Sequence, residues 1–182
     1  MTVRNSDDRY GWLSILLHWL VAAAVIGLFG LGFWMVDLSY YDEWYRRGPD
    51  IHRSVGILLF GAMLFRVLWR LATPTPKPLP EHKRWEVASA HIAHALLYIL
   101  IFVAMISGYL ISTADGSAID VFGWFQVPSV TGRIKGMEDT AGLVHYWSTW
   151  ALIALAGVHA LGALKHHFID KDATLRRMVG KS

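Results

Sequence analysis

Cysteine is absent from all 182 residues, and that absence excludes disulfide frameworks, iron–sulfur clusters, thiolate zinc sites and covalently attached c-type haem. Charge is scarce as well. Only 17% of residues are Asp, Glu, Lys or Arg, the net charge is +3, and no basic tract interleaves with aromatics in the way that grips nucleic acid. A redox or metal centre in this chain must therefore use ligands other than thiolate. The nine histidines are the obvious remainder, because neutral imidazole is a standard ligand of haem iron.

What is abundant is apolar. Hydrophobic residues make up 54% of the chain and the mean hydropathy is +0.37, so the bilayer is the expected solvent. Four stretches, Trp12 to Val36, His52 to Leu71, Val87 to Ser112 and Thr140 to Leu164, are long enough for a hydrocarbon core of roughly 30 Å. The reading is all-α: a single membrane domain over residues 1–182, built as an integral four-helix bundle. The first apolar run is too long for a cleaved signal peptide and lacks a small-x-small cleavage site, so it is expected to persist.

Polar or punctuated segments join the spans. Thr73 to Pro80 alternates prolines, which removes donors and favours a stiff polyproline-like path. The connection from Thr113 to Asp139 is long and glycine-rich, and its Phe122-Gly123-Trp124-Phe125 segment is suited to the membrane surface. Twelve Lys and Arg fall in or beside the two tails and the second connection, against five on the other side. By the positive-inside rule both termini are cytoplasmic.

Six histidines lie in or at the edge of the spans: His18, His52, His91, His94, His145 and His159. Ionisable groups at that depth are costly and point to function. His18 and His159 share a level near the inner face, while His52 and His145 share one near the outer face. Fourteen residues separate His145 from His159, which is roughly 21 Å and close to four whole turns, so both imidazoles face one way. Two bis-histidine haem sites, one near each membrane face, need ligands so arranged; the rival reading is four unrelated histidines bonding neighbouring helices. His91 and His94, at i and i+3, suit haem propionates, a quinone carbonyl or a plain helix interface. His166 and His167 suit either a solvated basic cap or a polar contact for quinone. Small residues, Gly27, Gly30 and Gly32 on the first span, Gly56 and Gly61 on the second, Gly157 and Gly162 on the fourth, favour close helix packing and leave room for a flat ligand.

Several motifs carry a family likeness: Leu17-His18-Trp19-Leu20, Ile51-His52-Arg53-Ser54-Val55-Gly56, Arg66-Val67-Leu68-Trp69-Arg70-Leu71, Ala90-His91-Ile92-Ala93-His94-Ala95-Leu96-Leu97-Tyr98 and His166-His167-Phe168-Ile169-Asp170-Lys171-Asp172 through Met178. With them the chain resembles the bacterial cytochrome b561 proteins, which share a domain type with the b-haem subunits of nickel hydrogenases. The resemblance implies two non-covalent b-type haems in the bacterial inner membrane and electron exchange with the quinone pool. It places His18 and His159 on the inner haem iron and His52 and His145 on the outer, with His166 as a quinone contact and His94 hydrogen-bonding nearby. It also implies a superoxide oxidase-like enzyme, with superoxide or another periplasmic donor giving electrons that pass to ubiquinone. The alternative is a haem b electron-transfer subunit of a larger respiratory or hydrogenase-like complex, docked to a protein partner and without catalysis of its own.

Overall fold

The computed structural model describes residues 2–181. Four long helices dominate it: α1 (Trp12–Met35), α2 (Trp44–Ala72), α3 (Arg84–Ser112) and α4 (Met137–Lys165). Each is long and apolar enough to cross a membrane, consistent with a membrane helical bundle. Helices are the expected answer, because a chain in lipid must satisfy every backbone N–H and C=O within itself. Little of each span is buried against protein, and residues such as Ile26, Leu68, Ile92 and Leu161 are more than half exposed. That is the pattern of helices whose outer faces meet acyl chains.

α2 begins at Trp44 rather than at His52. Arg46, Arg47, Gly48, Pro49 and Asp50 read as a polar connection, yet they are helical. Hydropathy marks where the bilayer starts, whereas backbone bonding decides where the helix starts, and Pro49, the sixth residue of α2, has no N–H to give the Tyr45 carbonyl. α4 is likewise extended, into a π-helical turn (His166–Asp170), which Lys171 closes in the left-handed region with φ 57°. A short helix, α5 (Thr174–Met178), follows.

The long third connection contains a two-stranded antiparallel hairpin, β1 (Ile119–Val121) and β2 (Phe125–Val127). The Trp124 N–H donates to the Val121 carbonyl at 2.9 Å, and the two central residues, Phe122 and Gly123, have φ of 52° and 73°. Positive φ at both central positions is the turn that matches strand twist, although a phenylalanine there is unusual.

The chain divides into two compact units. The first comprises residues 1–22, 62–98 and 154–182, the second residues 23–61 and 99–153. In the first, Leu17, Val21 and Met63 are buried, and the N-terminal tail is tied down by polar contacts. Asn5 accepts from Gly11 N–H at 2.8 Å and Ser14 Oγ at 2.7 Å, and Arg4 Nη2 donates to the Ala72 carbonyl at 3.1 Å, satisfying an end group of α2. Glycine is required at position 11, where a Cβ would lie 2.1 Å from the Val3 carbonyl oxygen. In the second unit Leu59, Ile101, Ala104, Val121 and Leu152 are buried. Ser54, also buried, donates to the Asp120 carbonyl at 3.3 Å and accepts from Phe122 N–H at 3.2 Å, fixing the hairpin.

Candidate functional site

Each of the two expected histidine pairs falls within one unit. In the second unit, His52 of α2 and His145 of α4 have ring centroids 6.2 Å apart with planes inclined at 75°. In the first, His18 of α1 and His159 of α4 are 6.3 Å apart and inclined at 67°. Two imidazoles that face each other in this way could hold one haem iron between them. Packed rings span about 4.5–7 Å, so plain ring packing reaches the same separations; His94 of α3 is a third ring beside the pair in the first unit, its centroid 5.1 Å from His159.

The surroundings of His145 set its tautomer. Its Nδ1 lies 2.8 Å from the Ala104 carbonyl and 3.4 Å from Ser107 Oγ. A carbonyl can only accept, so Nδ1 carries the proton and Nε2 keeps its lone pair, the arrangement that ligating histidines use. Gly108 makes this placement possible: a Cβ there would lie 3.1 Å from His145 Cε1 and 3.2 Å from Nδ1. Gly32 does the same for His52, with 3.1 Å to Cε1. The Nδ1 of His52 is buried without a hydrogen-bond partner. These neutral imidazoles, with cysteine absent, form a donor set that fits b-type haem.

Gly32 alone among the glycines grouped from the sequence has such a contact; a Cβ at Gly27, Gly30, Gly56, Gly61, Gly157 or Gly162 would meet no protein atom within 4 Å. Of the two roles expected of them, close helix approach leaves no contact at these six positions within either unit, while room for a flat ligand agrees with the open space there. Gly108 and Ala104, which seat His145, were not distinguished by sequence reasoning. The Ser107-Gly108 step inside the otherwise apolar α3 was the available signal.

His166 lies in the first unit on the π-helical turn, and its Nδ1 is 2.8 Å from both Asp170 Oδ2 and Asp172 Oδ2. His82, from the connection before α3, adds Nε2 at 3.0 Å from the same Asp172 oxygen. Lys165 bridges Asp170 at 2.7 Å and Glu86 at 2.8 Å. His167 follows with a buried, unpartnered Nδ1. His91 and His94 line a cleft of about 310 Å³ together with Arg70 and Tyr98.

Burial alone would raise the Asp172 carboxyl, but hydrogen bonds from the Thr174 side chain and backbone and from His82, with the charge of His166, outweigh it and hold the group at about 2. A depressed carboxyl contributes stability above its unfolded value of about 3.9 and loses it as pH falls through the folded value. The segment from His166 onward should accordingly resist pepsin at pH 4 and become cleavable as pH approaches 2. Asp172→Asn should be cleaved already at pH 4; equal resistance in both proteins would show that the carboxylate does not hold the segment.

A family profile described as prokaryotic cytochrome b561 matches residues 9–181. Cytochrome b561 homolog 2 of Escherichia coli (strain K12) is 50% identical over 182 residues, covering 100% of this chain and 97% of that protein. A protein of Yersinia pestis named probable superoxide oxidase CybB is 32% identical over 178 residues, covering 95% and 97%. Cytochrome b561 homolog 1 of Escherichia coli (strain K12) is 26% identical over 181 residues, covering 94% and 97%.

Proposed function

Because this chain belongs to the prokaryotic cytochrome b561 family, as a membrane haem protein with an electron-transfer role, we propose that it holds two b-type haems and carries electrons from a periplasmic one-electron donor, superoxide, to quinone. The observation that carries this reading is the facing histidine pair in each unit, whose imidazoles would hold haem iron in a chain without cysteine. His18 and His159 ligate the haem nearer the cytoplasm, and His52 and His145 the one nearer the periplasm. Both termini are cytoplasmic in the inner membrane, on the distribution of Lys and Arg.

When bound, haem iron supplies reversible one-electron chemistry. The chain's own residues do the rest. Ala104 and Gly108 orient His145, and His166 contacts the quinone. Each superoxide gives up one electron and leaves as dioxygen, and two such events with two protons convert a quinone to its quinol. In this reading the protons reach the quinone by way of His166, whose Nδ1 is bonded to Asp172. The choice of superoxide is supported by the printed name of the 32% identical relative.

A pulse of superoxide delivered to haem-loaded protein in quinone-containing vesicles should generate quinol, and His166→Gln should lower the yield about tenfold or more with haem content unchanged. The competing reading is a haem subunit docked to a catalytic partner. It is favoured by the exposed aromatics Phe122, Trp124 and Phe125 around the hairpin turn, a surface fit for a protein contact. A stable partner after mild detergent extraction, with no superoxide-dependent quinol from the isolated chain, would decide for the subunit.

A further inference from the structure

Arg66 stands in the apolar stretch of α2, where a charge without a counter-charge is strongly disfavoured. Its Nε donates to Tyr98 Oη at 2.9 Å, and Nη2 lies 3.3 Å from His18 Nδ1. The remaining nitrogen, Nη1, is buried with no hydrogen-bond partner. Arg70, one turn along, brings a second guanidinium to the same phenol: the two Cζ atoms lie 5.8 Å and 5.9 Å from the Tyr98 ring centroid. Among the described residues no carboxylate pairs with either arginine. Like charges at i and i+4 repel, so the pair calls for an anion.

The chemistry of that anion follows from the donors. A guanidinium presents a planar fork that matches a carboxylate or phosphate bidentately. The cleft carries Arg70, His91, His94 and Tyr98 beside apolar Val67, Leu71 and Ala95, a mixed lining that suits an amphiphile with acidic groups at one edge. Haem b carries two carboxylates, matching two cations. We infer that Arg66, with Arg70, binds the propionate carboxylates of the haem held by His18 and His159. The inference rests on the haem ligation proposed above.

The tautomer of His18 gives a further reason. Arginine has no lone pair, so against Arg66 the His18 Nδ1 accepts and the ring proton sits on Nε2. A carboxylate that takes up the guanidinium releases Nδ1 to carry the proton and Nε2 to ligate. Arg66 would then link the seating of the propionate to the ligating tautomer of His18.

The test compares protohaem with its dimethyl ester, in which the carboxylates are blocked, added to full-length apoprotein in detergent. Wild type should bind protohaem at the His18–His159 site at least tenfold more tightly than the ester, and Arg66→Gln should reduce that preference to about twofold or less. Arg66→Gln should also lower the midpoint potential of the same haem, a tenfold change in the reduced-to-oxidised ratio being 59 mV for one electron, and Arg66→Lys should recover part of it. Equal affinity of wild type for the two haems overturns the inference, and so does an unchanged preference in Arg66→Gln. If Arg66→Gln does not fold, Arg70→Gln takes its place, and a wild-type preference there overturns it. A lipid phosphate as the true occupant would show as phospholipid lost from Arg66→Gln with no discrimination against the ester. Failure of the ligation itself is separate: His18→Ala would then keep both haem spectra.

Discussion

Replacing His145 by alanine is expected to halve the haem-to-chain ratio and to remove one of two spectroscopically distinct b haems while leaving the other. His145 and His52 face each other at 6.2 Å in the second unit, whereas His18 and His159 belong to the first. An iron that loses one of two axial nitrogens in an apolar setting has no thiolate to take its place in this cysteine-free chain. His52→Ala should reproduce the loss, and His18→Ala or His159→Ala should remove the other haem. Pyridine haemochrome quantification with a redox titration measures both. Retention of two haems by all four variants would sink the pairing.

Gly108→Val should come close to the same phenotype without touching a ligand. Even the Cβ alone would stand 3.1 Å and 3.2 Å from the His145 ring, and the ring cannot slide away freely, because its Nδ1 is held by Ala104 at 2.8 Å. Overpacking of this kind costs about 1–3 kcal/mol, or roughly a five- to hundredfold weakening of haem binding at that site. Ile106→Phe is the matched control, an enlargement on the same helix at a side chain that is about half exposed. A haem titration that finds the two variants alike would mean that the imidazole is not confined as the geometry indicates.

The four spans were legible because apolar runs of bilayer length admit few other readings. The facing histidines were legible because His145 and His159 sit a whole number of turns apart on one helix. What escaped depends on contacts between helices. Gly108 resembles any small residue of α3 until His145 of α4 is laid against it. His82 was hidden in a proline-rich connection and acquires a role only where Asp172 reaches it. Arg66 was visible as part of a motif, but its unpartnered nitrogen is a fact of packing. The hairpin escaped for a local reason, since Phe122 is a poor signal for a turn that needs positive φ.

The π-helical turn at His166–Asp170 amounts to one extra residue wound into the end of α4. Removing one of His167, Phe168 or Ile169 would let the helix run on in ordinary register, swinging whatever follows round by about 100°. His166 would stay where α4 puts it, while Asp170 and the chain leading to Asp172 would turn away from it and from His82. The meeting of these side chains is thus set by segment length as much as by residue type, and a chain with every one of them intact but one residue shorter here would lack the cluster.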